Sequence, residues 1–190
     1  MKKLLVSSIA VLTLGVMLFA GCAKAPTEKV AALDEEFSKL QAAGAQVFAQ
    51  AEYDAVNTQM TNLHGLVDGK KNKEATALCD TITTAIEALK AAVETQGAEI
   101  AKAEVAGAAE EIAKFKTLVN DNAKALGAEA KKFQDQVAAL EAQAGGLQGD
   151  VDNKNLLKAF NDAKSIKDQI AAASSEITAA LEAAKAAKKK

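Results

Sequence analysis

The chain has 190 residues, 25 acidic against 23 basic side chains, one histidine and a formal net charge of −2. Every basic residue is a lysine, so the planar, bidentate grip of arginine on phosphate or guanine is absent, and a mildly acidic chain lacks the electrostatic footprint of a nucleic-acid binder. Alanine is the commonest residue, proline occurs once, tyrosine once and tryptophan not at all, a composition that favours helix everywhere, offers strands little and predicts an all-α fold.

Met1 is followed by Lys2 and Lys3 and then by an apolar run, Leu4 to Ala20, broken only by Ser7, Ser8, Thr13 and Gly15. A positive start, a short apolar segment and an ending in small residues read as a secretory signal peptide rather than a spanning helix with stop-transfer charges. Its last residues are Leu18-Phe19-Ala20-Gly21-Cys22. Phe19-Ala20-Gly21-Cys22 resembles the lipobox of bacterial lipoproteins, with Phe19 where the family usually has Leu. The resemblance implies a thioether-linked diacylglycerol on Cys22, cleavage between Gly21 and Cys22, and a further acyl chain on the new amino terminus. Ordinary secretion, with cleavage after Ala23, is the alternative reading. The two differ physically, because each buried methylene contributes about 0.8 kcal/mol and two or more acyl chains anchor a protein stably. In lipoproteins of the enterobacterial type, Ala23 after the lipidated cysteine resembles an outer-membrane address, facing the periplasm. With Cys22 lipidated, Cys79 is the one cysteine left and no intramolecular disulfide is expected.

The expected organisation is a signal peptide over 1–21, a lipidated tether over 22–27, a first helical hairpin over 28–97 and a second over 98–190 with a lysine tail. Pro26 closes the tether and Thr27 is placed to cap the first helix. Helix one is predicted from about Glu28 to Leu66, with Val30, Leu33, Phe37, Leu40, Val47, Phe48, Ala51, Ala55, Met60, Leu63 and Val67 at the 3,4 spacing of one buried face and Gly44 inside the pattern. Asp68-Gly69-Lys70-Lys71-Asn72 supplies a turn, with Gly69 suited to the left-handed conformation and Asn72 to capping. Helix two carries Ala75, Leu78, Cys79, Ile82, Ile86, Leu89 and Val93 on one stripe, which sets Cys79 in the seam as a small hydrophobe. Gly97 and Gly107 bracket a third boundary. Helix three runs from Val105 to Leu147 with a near-heptad seam interrupted at Asn122, and it ends at Gly145-Gly146 and Gly149. A turn at Asp150-Val151-Asp152-Asn153 leads to helix four, with Leu156, Phe160, Ala163, Ile166, Ile170, Ile177 and Leu181.

The chain also matches itself at an offset of 84 residues, which lays Val67 on Val151, Ala75 on Ala159, Ile82 on Ile166, Ile86 on Ile170 and Val93 on Ile177. Two tandem antiparallel hairpins forming an up-down-up-down four-helix bundle satisfy this pattern if the chain breaks between Gly97 and Gly107. If it does not break, one long central helix gives an extended rod.

Residues 46–93 resemble a family of Ala-rich helical-hairpin domains of unknown function in bacterial envelope lipoproteins, through Phe48-Ala49-Gln50-Ala51-Glu52-Tyr53-Asp54-Ala55 and Lys73-Glu74-Ala75. The lipobox, the Ala-rich coiled-coil seams and the C-terminal lysine are loosely similar to the murein lipoprotein, which implies Lys190 as a point of attachment to peptidoglycan. A lysine run at a helix C-terminus also complements the helix dipole. No catalytic constellation is legible. His64 and Asp68 are one turn apart but fall short of the three ligands a catalytic zinc needs. Adjacent acids such as Asp34-Glu35-Glu36 diverge around a helix. Gly145 to Gly149 lacks the strand and lysine of a phosphate loop. The expectation is a non-enzymatic, lipid-anchored cell-envelope protein without cofactor or metal, held in the membrane through Cys22 and serving as a spacer or docking surface for an envelope protein or peptidoglycan. The alternative is a module that holds a small apolar ligand or lipid between its helices.

Overall fold

A computed structural model describes residues 24–187, and among these no residue is in a strand, so the chain is all-α as its composition requires. In chain order the elements are α1 (Thr27–Ala42), the single turn α2 (Ala45–Phe48), α3 (Gln50–Asp68), α4 (Asn72–Leu126), a 3₁₀ turn (Gly127–Glu129), α5 (Ala130–Ala144), α6 (Leu147–Asp152) and α7 (Leu156–Ala187). The described residues pack as two compact units, one of residues 24–38 with 54–87, the other of 39–53 with 88–187.

In the first unit α1 and α3 run antiparallel, with Asp34 meeting His64, and the start of α4 is tied to α1 by Lys29 and Asp80, 3.0 Å apart. Val30, Leu33 and Phe37 of α1, Val56, Met60 and Leu63 of α3, and Ala75, Cys79, Ile82 and Ile86 of α4 are all buried. Most of these follow the 3,4 spacing read from the sequence. Val47, at 46 % exposure, and Ala51 and Ala55, also exposed, do not lie on the buried face, and Val56 takes the place in α3, because the break at Gly44 and Ala49 resets the register.

The second unit repeats that plan. From residue 88 onward α4 packs antiparallel to α5, with Lys116 on Glu141, and α7 returns antiparallel to α5, with Lys132 on Glu176. Ile112, Phe115 and Val119 of α4, Phe133, Val137 and Leu140 of α5, Leu147 of α6, and Ala163, Ile166, Ile170 and Ile177 of α7 share one core. Asn122, the polar interruption of this seam, is half-buried and donates its side-chain Nδ2 to the Leu118 carbonyl at 2.9 Å, which satisfies the amide within its own helix.

Four boundaries differ from expectation, and the glycines show why. Residues 28–66 are not one helix: Gly44 sits at φ 92°, in the left-handed region, and the chain reverses through α2 and Ala49. Nor is 105–147 one helix, because Gly127 at φ 59° turns the chain back into α5. The break that a four-helix bundle needs between Gly97 and Gly107 does not occur; both lie inside the continuous α4. Gly145 and Gly146 keep right-handed backbone and only interrupt the helix between α5 and α6, which runs on through Gly149 to Asp152, so the expected turn at Asp150-Val151-Asp152-Asn153 begins only at Asn153.

The second turn of each unit ends its helix in the same way. In the first, the Lys71 N–H donates to the Leu66 carbonyl and the Lys70 N–H to that of Val67, each at 2.9 Å. Eighty-four residues on, the Asn155 N–H donates to the Asp150 carbonyl at 2.8 Å and the Lys154 N–H to that of Val151 at 3.0 Å. These are Schellman caps, whose turning residue must be left-handed. That residue is Lys70 (φ 57°) in one and Lys154 (φ 62°) in the other, not Gly69 as the sequence suggested.

A candidate binding cleft at the start of α7

The residues expected to carry function at the chain ends, Gly21 and Cys22 at the cleavage and lipidation point and Lys190 at the tail, lie outside the described residues. Within the described body, His64 Nε2 is 3.0 Å from Asp34 Oδ1, so its partner is a carboxylate on the neighbouring helix rather than Asp68. Among the described residues no group of three or more His, Cys, Asp or Glu side chains is placed to hold a metal ion, and no helix is long and apolar enough to cross a membrane. Cys79 is buried, and that burial pushes its thiol above the ordinary value of 9.0 while the Lys29 ammonium pulls the other way. A raised thiol pKa means little thiolate at neutral pH and an inert side chain.

What the second unit does offer is a half-open cleft of about 980 Å³. Its apolar lining comes from Ala42 at the end of α1 and Ala43 just beyond it, from Val93 and Ala98 of α4, and from Leu156 and Leu157 at the start of α7. Polar groups share the lining, namely the charged Lys102, Lys154, Lys158, Glu94 and Asp152 and the amides of Asn155 and Asn161.

The cleft exists because two tight contacts beside it fix the wall helices. Phe48, at 2 % exposure, lies edge-on to Phe160 with ring centroids 5.8 Å apart. It fits only because two glycines face it: a Cβ on Gly97 would stand 3.0 Å from Phe48 Cδ2, and one on Gly44 would stand 2.9 Å from Phe48 Cε2. Gly97 is therefore a seat for an aromatic ring rather than the helix breaker it resembled.

The turn that carries Lys154 is pinned by a small polar cluster. Lys158 Nζ bridges Asp150 Oδ2 at 2.6 Å and Asp162 Oδ2 at 3.0 Å, and Asn155 Nδ2 donates to Asp150 Oδ1 at 3.3 Å. The Lys158 and Asn155 bonds hold the Asp150 carboxyl below its usual range, and the same carboxylate raises Lys158. Asp152 accepts from Gln148 Nε2 at 2.8 Å. Lys102 and Lys154 form no ion pair with any described residue, which leaves their ammonium groups open at the rim.

Periodicity alone gave no hint of the cleft, since its residues come from three separate elements. One signal was present in the 84-residue repeat. At the start of α7 stand Leu156, Leu157 and Phe160, whereas the matching positions at the start of α4 are Asn72, Lys73 and Thr76. A three-helix unit forms with polar residues there, so the apolar trio serves the contact with Phe48 and the cleft wall. No protein-family model matches this chain, and neither a curated protein nor a solved structure does.

Proposed function

We propose that this is a lipid-anchored, non-enzymatic protein of the bacterial cell envelope, probed best at Cys22. The observation that carries the reading is the sequence Phe19-Ala20-Gly21-Cys22 at the end of a lysine-led apolar segment. The anchor works by hydrophobic burial of acyl chains on Cys22, with cleavage before it, and holds the helical body in the outer membrane as a spacer or docking surface for an envelope protein or peptidoglycan. Metabolic labelling with a clickable fatty acid tests it: label is incorporated in the wild type and lost in Cys22→Ala. Equal labelling of both removes the anchor. Attachment of Lys190 to peptidoglycan is a separate part of the reading, tested by release of the protein from purified sacculi on muramidase digestion and its absence there in Lys190→Ala.

A second reading is favoured by the cleft: its apolar lining and size fall in the range of small-molecule sites, roughly 300–1,000 Å³, so the body also serves to hold a ligand. For the fold, the continuity of α4 supports the long central helix over the four-helix bundle. Spin labels on Lys90 and Lys116 test this within α4: 26 residues at 1.5 Å each set them about 39 Å apart. A break between Gly97 and Gly107 brings them under about 20 Å, because packed helices lie 8–10 Å apart.

A further inference from the structure

We infer that the first unit lays the turn between α3 and α4, Lys70 to Lys73, on the membrane, where its lysines dock on the anionic phospholipid headgroups around the protein's own anchor; this rests on the lipidation of Cys22 proposed above. The tether sets which end of the unit meets the bilayer. Cys22 precedes Lys24 by two residues, so at most about 7 Å of extended chain separates their Cα atoms. From there the chain is already packed on the unit: Ala25 and Pro26 are half-buried, and with Lys24 they share the lining of a shallow groove with Thr76 of α4. Thr76 stands one turn inside that helix, its Oγ1 donating to the Asn72 carbonyl at 2.8 Å. Lys29 meets Asp80 at 3.0 Å one turn further along. Anchor and turn are therefore at one end of the unit, and acyl chains on Cys22 bring Lys70, Lys71 and Lys73 to the headgroup layer.

The chemistry of that end suits an anionic surface. Its five lysines, Lys24, Lys29, Lys70, Lys71 and Lys73, are all exposed. Lys29 is matched by Asp80, and Lys71 lies 3.9 Å from Glu74. This leaves Lys24, Lys70 and Lys73, which form no ion pair with any described residue, against Glu28 and Asp68. Glu28 sits in the first turn of α1, where a carboxylate offsets the partial positive charge of a helix start. Lysine carries its charge on a flexible four-carbon stem that reaches beyond the backbone, whereas the Asp68 carboxylate stays close to it, so ammonium groups meet the phosphates first. The second unit supplies a comparison on the same backbone. Its matching turn makes the same Schellman bonds, yet over 150–157 Asp150 and Asp152 stand against Lys154 alone, a charge of −1, while over 66–73 three lysines stand against Asp68, a charge of +2. Asn155 and Leu157 occupy the positions of Lys71 and Lys73, so the turn folds without those lysines and their charge acts outside it.

The test uses the full lipidated chain, purified from membranes and placed on vesicles of phosphatidylcholine alone or mixed with phosphatidylglycerol, each carrying a headgroup-linked quencher. Flotation with the vesicles reads the anchor itself. Ala77→Cys, an exposed position in the second turn of α4, takes a fluorophore, since Cys22 is blocked by its lipid and Cys79 is buried. Quenching is expected to be about twofold stronger on the mixed vesicles. The excess is expected to vanish at about 1 M salt, where the Debye length is about 3 Å, and in the triple variant Lys70→Asn, Lys71→Asn, Lys73→Gln. Asn tolerates the left-handed conformation at position 70 and Asn155 already serves at the position matching 71, so this variant keeps the fold, which circular dichroism checks. Lys154→Asn, in the matching turn of the second unit, leaves the excess unchanged. Equal quenching on the two vesicles, or an excess that survives the triple variant, overturns the docking while the anchor stands. An excess lost equally in Lys154→Asn overturns it too, since the lysines then act only through net charge. A wild-type chain that floats with neither vesicle removes the anchor and the inference together.

Discussion

Two lysines stand where glycine is the usual choice. Lys70 and Lys154 occupy the left-handed position of matching helix caps, at φ 57° and 62°. For an L-residue that conformation costs roughly 1–2 kcal/mol, part of which glycine returns through its larger unfolded-state entropy. Lys70→Gly and Lys154→Gly are each expected to raise stability by about 1 kcal/mol, read as a shift of the urea midpoint at constant slope. A midpoint that falls in either variant shows that the lysine side chain holds the turn in another way. Cys79 makes a complementary point about chemistry. Burial raises its thiol pKa, so the folded protein keeps the proton longer than the unfolded chain does. The contribution is whole below about pH 9 and is lost as pH rises through the folded value. Cys79 is expected to resist iodoacetamide at pH 8 in the folded protein and to react at once in urea; quick reaction without denaturant contradicts its buried position.

At the scale of elements, four glycines that look alike in the sequence do three different things. Gly44 and Gly127 adopt positive φ and reverse the chain. Gly97 stays helical and receives the Phe48 ring, and Gly107 stays helical with only Lys167 Nζ, 3.8 Å away, near its absent Cβ. The 3,4 periodicity located most of the buried stripes, from Val30 through Ile177, because burial on one helix face is a local property of the sequence; it failed at Val47, Ala51 and Ala55, where the break at Gly44 and Ala49 resets the register. Periodicity does not say where an Ala-rich helix reverses, since Gly44 and Gly97 carry the same local signal and differ only in what packs on them. Gly97→Ala and Gly107→Ala separate the cases. Both gain helix propensity of up to about 1 kcal/mol. At Gly97 the new methyl presses on Phe48, which Gly44 also faces, and overpacking of roughly 1–3 kcal/mol outweighs the gain. Thermal unfolding is expected to show a lower Tm for Gly97→Ala and a higher one for Gly107→Ala. Two variants that move together mean that Phe48 yields without strain.

The whole molecule reads as one three-helix plan used twice. Caps at Lys70 and Lys154, buried Ala75 and Ala159, Ile82 and Ile166, and Ile86 and Ile170 recur 84 residues apart. Val30, Leu33 and Phe37 find counterparts in Ile112, Phe115 and Val119 at 82, the difference falling in the first turn of each unit. The third helix of the first plan and the first helix of the second are one element, α4, and this sharing has a thermodynamic consequence. The division falls inside α4 between residues 87 and 88, and also inside α1 between 38 and 39 and inside α3 between 53 and 54, so melting of either unit must fray helices that the other needs. Each unit carries its own reporter, Cys79 in the first and Tyr53, whose hydroxyl accepts from Gln41 Nε2 at 3.1 Å, in the second. In the wild type, urea unfolding followed by Cys79 labelling and by Tyr53 fluorescence is expected to give coincident midpoints. Ala88 is exposed, so Ala88→Pro takes nothing from a core yet breaks the helical ladder at a cost of about 3 kcal/mol. The two midpoints should then separate, because a fray on one side no longer propagates through the proline. Coincidence that persists in Ala88→Pro would place the coupling in α1 and α3, which cross the division as well.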